Sequence, residues 1–178
     1  MKTYIVLLRG VTPSGKNRVP MAQLRQLLSC DKDFTNVQTW IQSGNVILNT
    51  RLSAKEVAEK VNKIIKENIG ADLKIIVKIP QEIQRVLNEN PFGEEYDISR
   101  VFFTLSNDIP DQDLVIKLQE QNFGNDKFIF TMHAIYLFIP GSAAETKLNN
   151  NFLERKLKID ATTRNFNTLS KLLSLSSE

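Results

Sequence analysis

The succession of apolar patterns in the first eighty residues limits the possible folds of this chain more than any other feature. Residues 4–8 are all apolar or aromatic, which predicts a strand buried on both faces. The predicted elements are this strand, a helix from Pro20 through Leu28, strands at 37–41 and 45–49 joined by the turn Ser43-Gly44-Asn45, a helix opened by the capping box Ser53 to Glu56, and a strand at 73–79. This β-α-β-β-α-β order is typical of the ferredoxin-like sandwich, an antiparallel sheet with both helices on one face.

Nearly the same order of predicted helices and strands follows after residue 80. The second set comprises a short helix at 81–88, a strand at 100–105, a helix around 114–118, a hairpin of 127–131 and 134–139, a helix opened by a second capping box, Ser142 to Glu145, and a final helix over 162–175, with no last strand visible. The sequence therefore predicts an α+β protein with two ferredoxin-like (βαββαβ) subdomains packed together, antiparallel sheets and an extra C-terminal helix. We place the first subdomain at residues 1–80, a connecting helix and loop at 81–98, and the second half at 99–178. No long Pro/Gly-rich linker separates them, which indicates one structural unit.

The predicted strands argue against an open nucleic-acid-binding sheet. An RNA-recognition motif shares this element order but stacks bases on aromatic side chains of its first and third strands. Here the third strand, residues 45–49, has no aromatic residue. The apolar runs at 5–8 and 136–139 indicate that both faces of each sheet are covered.

Basic residues are concentrated at the start of the chain. The net charge of +3 combines residues 1–80, with 13 Lys/Arg and 6 Asp/Glu, and residues 81–178, with 10 Lys/Arg and 14 Asp/Glu. The first 30 residues contain no acid at all. A basic end on an otherwise balanced protein suits an anionic ligand, although a solvated Lys-rich surface has the same composition.

Cysteine usage and the N-terminus predict a cytoplasmic protein. The chain has one cysteine, Cys30, which excludes an internal disulfide, and no signal peptide precedes the first strand. Cys30 continues the apolar pattern of the first helix, so we expect a small packing residue rather than a reactive thiol. The longest apolar runs are far shorter than the roughly 20 residues that a membrane helix needs.

The first strand is followed by a basic segment, RGVTPSGKNRVP, at residues 9–20. Its Gly10, Gly15 and Lys16 have the spacing of a nucleotide-binding P-loop. Three features argue against a true P-loop: Asn17 stands where the motif needs a Mg²⁺-ligating Ser or Thr, a proline delays the start of the helix, and the predicted sheet is antiparallel. Backbone N–H groups and cations nevertheless bind phosphate without the full motif.

This segment and the first hairpin turn are expected to meet at one end of the sheet. Ferredoxin-like strands run in the spatial order 4-1-3-2, so the end of strand 1 lies beside the turn between strands 2 and 3. The predicted anion-binding residues are Arg9, Gly10, Gly15, Lys16, Asn17, Arg18, Gln42, Ser43 and Asn45. The two arginines would clamp phosphate and the lysine would add a point charge. Gln42 and Asn45 would orient the ligand.

Two functions follow from this segment. In the first, a cytoplasmic protein binds a phosphorylated small molecule or a nucleic-acid phosphate. In the second, the glycines serve only the turn of the chain, Asn17 and Arg18 brace the hairpin, and the protein is a protein-interaction or structural module. Enzymatic activity is not indicated, because no general base has a recognisable partner. We expect no cofactor and no membrane partner.

The remaining polar groups form no evident metal or catalytic site. His133, the one histidine, is placed in the turn of the second hairpin, in a different half of the chain from Cys30. The acid pair Glu94/Glu95 falls in a loop. Asp111 and Asp113 fall in the first turn of a helix, where acidic residues favour the helix dipole.

Three motifs are shared with a known group of proteins. They are RG…GKNRVPM at residues 9–21, IQSGNV at 41–46 and T-x-RNFNT at 162–168. With them the chain resembles a bacterial family known only as domain of unknown function 1697, whose members carry RGIN-VGGKNRVPM, YIQSGNV and T-x-RNWNT. The resemblance spans nearly the whole chain and implies paired ferredoxin-like subdomains, but no activity. Ser14 replaces a family glycine, which limits the positive-φ conformations of a phosphate cradle, and Phe166 replaces the family tryptophan.

Arg164 lies in the last of these motifs, at the predicted start of the final helix. Asn165 or Thr163 is placed to cap that helix. In the functional interpretation, Arg164 reaches the N-terminal loop and completes the anion site.

Overall fold

The computed structural model describes residues 1–177 and divides into two compact units. One is Met1–Ile83 together with the residues from Lys171 onward, and the other is Gln84–Ser170. The boundaries between the units fall inside two helices, Pro80–Asn88 and Phe166–Leu175. No helix within residues 1–177 is both long and apolar enough to cross a membrane.

The first unit has the predicted β-α-β-β-α-β order. Its elements are β1 (Lys2–Leu8), α1 (Met21–Ser29), β2 (Thr35–Trp40), β3 (Asn45–Thr50), α2 (Ala54–Asn68) and β4 (Ile75–Lys78), followed by α3 (Pro80–Asn88). The strands lie in the order β2-β3-β1-β4, and every neighbouring pair is antiparallel. This is the predicted spatial order 4-1-3-2. It pairs Leu7 near the end of β1 with Asn45 at the start of β3.

β1 is buried on both faces, as its apolar run predicts. Tyr4, Val6 and Leu8 pack in one apolar cluster with the inward stripes of α1 and α2. Ile5 and Leu7 alternate with them, point to the opposite face, and are 0% exposed. Within the described residues, β1 therefore offers no open face on which bases could stack.

α2 begins as its sequence predicts. Ser53 N donates to Glu56 Oε2 at 2.8 Å, and Glu56 N donates to Ser53 Oγ at 3.4 Å. These reciprocal bonds form a capping box, which satisfies backbone donors of the first turn. Val57, Val61 and Ile65 then form the buried stripe of the helix.

The second unit repeats this topology. Its elements are a 3₁₀ turn at Ile98–Arg100, β5 (Val101–Ser106), α4 (Gln112–Gln119), β6 (Lys127–Phe130), β7 (Ile135–Phe138), α5 (Asn150–Leu157), β8 (Ala161–Asn165) and the first residues of α6 (Phe166–Leu175). The strand order β6-β7-β5-β8 corresponds to that of the first unit. The predicted α+β class with antiparallel sheets in both halves of the chain is confirmed.

The prediction that a helix covers 162–175, with no fourth strand before it, is wrong. β8 pairs antiparallel with β5 along its whole length. The β-branched Thr162 and Thr163 favour this extended conformation. Asn165 ends the strand and caps α6, because its side-chain oxygen accepts a hydrogen bond from Thr168 N at 2.8 Å. That capping role for Asn165 is the one predicted from the sequence.

The second predicted capping box is also wrong. Residues 142–145 form a turn that does not continue into a helix. The hydroxyl of Thr146 accepts a hydrogen bond from the backbone two residues later, which bends the chain away from helical geometry. α5 starts further on, where the side chain of Asn149 caps it by accepting from Phe152 N at 3.0 Å.

Cys30 is not the packing residue that the helical pattern predicts. α1 ends at Ser29, and Cys30 follows as an exposed C-cap whose N–H donates to Gln26 O and Leu28 O. Cys30 also stands two residues after Leu28, the last buried residue of the helix, and residues at that spacing do not share a helix face.

Candidate anion-binding site

The end of β1 and the turn between β2 and β3 lie against each other, as the strand order predicts. Leu8 N donates to Gly44 O at 2.8 Å. Gly44 has a φ of +85°, and a Cβ on it would lie 2.7 Å from Leu8 Cβ and 2.8 Å from Val11 Cγ2. Only glycine fits here without displacing its neighbours. The segment 9–20, called the basic loop below, therefore begins directly beside this turn.

The basic loop is folded onto itself. Thr12 N donates to Asn17 O at 3.1 Å, and Arg18 N donates to Gly15 O at 3.2 Å. Gly10 and Gly15 have φ values of +76° and +79°, in the left-handed region that glycine enters without a steric penalty. The two glycines with P-loop-like spacing thus serve two turns of the chain.

Two cations of the loop have no carboxylate partner. Lys16 and Arg18 are exposed, and neither side chain forms a hydrogen bond or an ion pair within residues 1–177. Arg9 is half-buried, and its N–H donates to Lys74 O at 3.0 Å. This bond places the exposed Lys74 at the same end of the sheet as the basic loop. We did not predict Lys74 as a site residue. The signal for it was the 4-1-3-2 order, which places the start of strand 4 beside the end of strand 1.

The N-terminus of α1 has open hydrogen-bond donors. Its N-cap is Pro20, which makes no side-chain cap bond, and its first turn contains no acidic residue. Gln42 Oε1 accepts from Met21 N at a long 3.4 Å. Ala22 N and Gln23 N have no partner among the described residues. By contrast, α2, α4, α5 and α6 are each capped by a side chain. The positive end of the α1 dipole is therefore left uncompensated beside the basic loop.

Side-chain hydrogen bonds of Asn45, one of them to Ser43, stabilise the turn of the hairpin. Asn45 is 0% exposed, and its Nδ2 donates to Trp40 O at 3.0 Å and to Ser43 Oγ at 2.9 Å. A side chain with no exposed surface does not contact a ligand from solvent. Of the two residues predicted to orient a ligand, only Gln42 is exposed.

Arg164 is not at the start of a helix, where the sequence placed it, but in β8 of the second unit. Its Nη1 donates to Thr162 Oγ1 at 2.7 Å and to Thr163 O at 2.9 Å. Burial lowers the pKa of the Arg164 guanidinium to about 10, so it keeps its charge at neutral pH.

A polar cluster that the sequence did not reveal surrounds His133. As predicted, His133 lies in the turn between β6 and β7. Its Nδ1 lies 2.8 Å from Glu89 Oε2, and its Nε2 lies 3.2 Å from Arg85 Nη1. Arg85 lies in the last turn of α3, and Glu89 directly follows the helix, where its N–H donates to Arg85 O at 2.9 Å. A spacing of four residues places both on one side. Both ring nitrogens are thus engaged, which argues against a general-base role in this arrangement.

No group of three or more His, Cys, Asp or Glu side chains is placed to hold a metal ion in the described part of the chain.

Comparison with known proteins gives a family and a fold. The family described as "Protein of unknown function (DUF1697)" matches residues 1–136, which include the basic loop and the first hairpin. No curated protein matches the chain. The conserved bacterial protein SP0830 from Streptococcus pneumoniae has a similar structure, with a TM-score of 0.76 and 24% sequence identity over 98% of each chain; at this identity the likeness shows the fold alone. Because the family match covers well over half of the chain, the protein belongs to the DUF1697 family of proteins of unknown function.

Proposed function

We propose that this protein binds a phosphate-bearing ligand, a small molecule or a nucleic-acid backbone, through the basic loop after β1. The observation that carries the proposal is the uncapped N-terminus of α1 next to two cations without ion-pair partners, Lys16 and Arg18. Phosphate suits this combination, because its oxygens accept hydrogen bonds from backbone N–H groups and from cationic side chains at the same time.

Each group has its own role in such a site. The guanidinium of Arg18 offers two parallel donors that match two phosphate oxygens, and Lys16 adds a compact positive charge. Ala22 N and Gln23 N supply backbone donors along the axis of the α1 dipole. Gln42, which already reaches the first residue of α1, fixes the position of the helix end relative to the hairpin.

A second function is supported by the contacts that join the loop region to the hairpin. The bond between Gln42 and Met21 and the burial of Asn45 stabilise the fold whether or not a ligand binds. If stabilisation is the whole role of this region, the protein is a protein-interaction or structural module. Removing the Gln42 side chain then lowers stability without changing any response to phosphate.

Titration of paired variants separates the two functions. Arg18→Ala is compared with Arg51→Ala, which is a matched control. Both arginines are exposed and stand two residues before the N-cap of a helix, but the helix after Arg51 is capped by Ser53. The titrants are inorganic phosphate, a nucleoside monophosphate and short DNA or RNA at up to millimolar concentration. Thermal shift and calorimetry measure the binding of each. Wild type and Arg51→Ala should respond alike, and Arg18→Ala should bind about tenfold more weakly, the effect of losing roughly 1.4 kcal/mol of charge-assisted hydrogen bonding.

If none of these ligands stabilises the wild type, and Gln42→Ala lowers the melting temperature while Arg18→Ala and Arg51→Ala do not, the region only braces the fold. Salt separates the two ligand types when binding occurs. Affinity for a nucleic-acid backbone falls steeply with salt, in proportion to the number of phosphates contacted, whereas a single phosphate group gives a shallow slope.

A further inference from the structure

The second unit has a concave surface that does not depend on the basic loop. An open cavity of about 490 Å³ lies beside the first turns of α5 and is lined by Lys147, Asn149, Asn151, Phe152 and Arg155. Its volume is within the range of about 300–1,000 Å³ that is usual for small-molecule sites. We propose that this α5 cavity binds a phosphate ester that carries an aromatic or apolar group.

The lining residues that belong to α5 lie beside its core-facing stripe, not in it. Leu153 and Leu157 are the buried residues of the helix. Phe152 and Arg155 are three residues apart and therefore share a neighbouring side of the helix. Asn149 already caps the helix by accepting from Phe152 N at 3.0 Å. Because the helix end is capped in this way, attraction for a ligand arises from the side chains around the cavity.

The cavity is the basic part of an otherwise acidic half of the chain. Residues 147–158 contain four cations and one acid, whereas the sequence after residue 80 carries a net negative charge. The acid, Glu154, accepts a hydrogen bond from the backbone at the start of β8. Among the residues described, Lys147, Arg155 and Lys156 form no ion pair. Like charges held together repel, so an anion between them lowers the electrostatic free energy.

Phe152 supplies an apolar surface beside these cations. Its ring is half-buried and meets Phe123 edge-on, with the ring centroids 5.9 Å apart. The guanidinium carbon of Arg155 lies 5.8 Å from the Phe152 centroid, and Lys156 Nζ lies 5.7 Å from it. An organic anion can place its apolar part against the ring while its oxygens reach the cations.

Charge and volume favour a phosphate monoester among organic anions. Lys147 and Arg155 line the cavity, and Lys156 adds a third positive charge beside the ring of Phe152. A phosphate monoester carries roughly −1.5 to −2 at neutral pH, more than a carboxylate does. The planar guanidinium of Arg155 matches two phosphate oxygens. The cavity is larger than an inorganic ion requires, which leaves room for a phenyl ring or a nucleobase. A free nucleotide and the phosphorylated end of a nucleic-acid strand both present this chemistry.

NMR titration of the full chain, followed by backbone amide signals, tests the proposal. Phenyl phosphate should shift the signals of residues 147–156 saturably at millimolar concentration and bind more tightly than inorganic phosphate. Arg155→Gln should weaken binding about tenfold, the loss of one charge-assisted bond pair. Lys117→Gln, at an exposed cation of α4 outside the cavity, should leave it unchanged. Phe152→Leu keeps an apolar residue at a half-buried position but removes the ring, and should lower the affinity for phenyl phosphate while leaving that for inorganic phosphate unchanged.

Several results would overturn the proposal. Shifts confined to the basic loop would exclude the α5 cavity and leave the proposed function standing. Equal losses in Arg155→Gln and Lys117→Gln would indicate diffuse attraction by charge instead of a site. Equal affinity of the wild type for phenyl phosphate and inorganic phosphate would remove the role of Phe152. A nucleoside 5′-monophosphate and a short single strand, with and without a 5′-phosphate, then distinguish the two sources of the ligand.

Discussion

Leu8 and Gly44 are joined by a 2.8 Å hydrogen bond from the amide of the first to the carbonyl oxygen of the second. The bond holds the end of β1 against the turn between β2 and β3, at a distance that leaves no room for a Cβ on residue 44. Gln42, in the same turn, reaches Met21 N at the start of α1. One short turn therefore fixes both ends of the basic loop.

Gly44→Ala should destabilise the protein by about 2–4 kcal/mol, because the added methyl group overlaps Leu8 and Val11 and alanine is disfavoured at a φ of +85°. Gly15→Ala is the matched control. Its φ of +79° is similar, but nothing lies within 4 Å of the added Cβ, so it should lose only about 1–2 kcal/mol. Urea unfolding measures both losses. Equal losses would contradict the close packing of the turn.

Ile41→Asn should stabilise the protein by about 0.5–1 kcal/mol. Ile41 is β-branched and has a φ of +51°, a conformation that is unfavourable for such a residue. Because its side chain is 51% exposed, burial of apolar surface offsets little of this unfavourable free energy. Asparagine tolerates the left-handed region. The control is Ile109→Asn, at a residue that is 64% exposed and not left-handed, where the free energy of unfolding should hardly change. A loss of stability in Ile41→Asn would mean that this side chain is needed for packing.

Asn165→Ala should lower the free energy of unfolding by about 1 kcal/mol, since it removes the cap that accepts from Thr168 N at the start of α6. Asn165→Asp keeps an acceptor at that position and should retain most of the stability. Asn167→Ala, at an exposed residue in the first turn of α6, provides the comparison and should have a small effect. Chemical denaturation of the three variants ranks them; indistinguishable Asn165→Ala and Asn167→Ala proteins would exclude the cap.

Acid should weaken the contact between Lys60 and Asp31, where Nζ and Oδ1 lie 2.7 Å apart. Partial burial by itself raises the pKa of Asp31, but hydrogen bonds from Lys60 and from the backbone N–H of Asp33 outweigh it and hold the pKa below the usual 3.8. A depressed carboxyl pKa stabilises the fold above the unfolded-state pKa, and this stability is lost as the pH falls through the folded-state pKa.

The unfolding free energy of the wild type should therefore decline below a pH of about 4 more steeply than that of Lys60→Met. Lys63→Met provides the control, because Lys63 is highly exposed and its Nζ lies 3.8 Å from Glu67. Its pH dependence should follow that of the wild type. Parallel acid profiles for wild type and Lys60→Met would contradict the role assigned to this contact.

The parts of the fold that the sequence predicts are those with strong local signals. The apolar run of β1 and the capping box of α2 are sufficient by themselves to define a strand and a helix start. β8 has no such signal, because it is five residues long and polar, and it is held by pairing with β5, which is remote in sequence. The sequence from 142 to 145 resembles a capping box, but no helical apolar pattern directly follows it.

The candidate site also has features that the sequence predicts and features that it does not. The meeting of the basic loop with the hairpin turn follows from strand order and was predicted. The complete burial of Asn45 depends on side-chain packing, which sequence patterns do not contain. The strand order places the start of β4 beside the end of β1, but only the register shows that Lys74 is the residue next to Arg9. The cluster of Arg85, Glu89 and His133 joins a helix to a turn more than forty residues away, and only the folded chain reveals it.

The most direct test of phosphate binding is an NMR titration that follows the backbone amides of Ala22 and Gln23. Inorganic phosphate should shift both signals saturably, together with those of the basic loop, and should leave the amides of Ala54 and Lys55 in the capped first turn of α2 unchanged. Sodium chloride at equal ionic strength should not reproduce the shifts. If phosphate moves the first-turn amides of α1 and α2 alike, or no more than chloride does, the basic loop is not an anion-binding site.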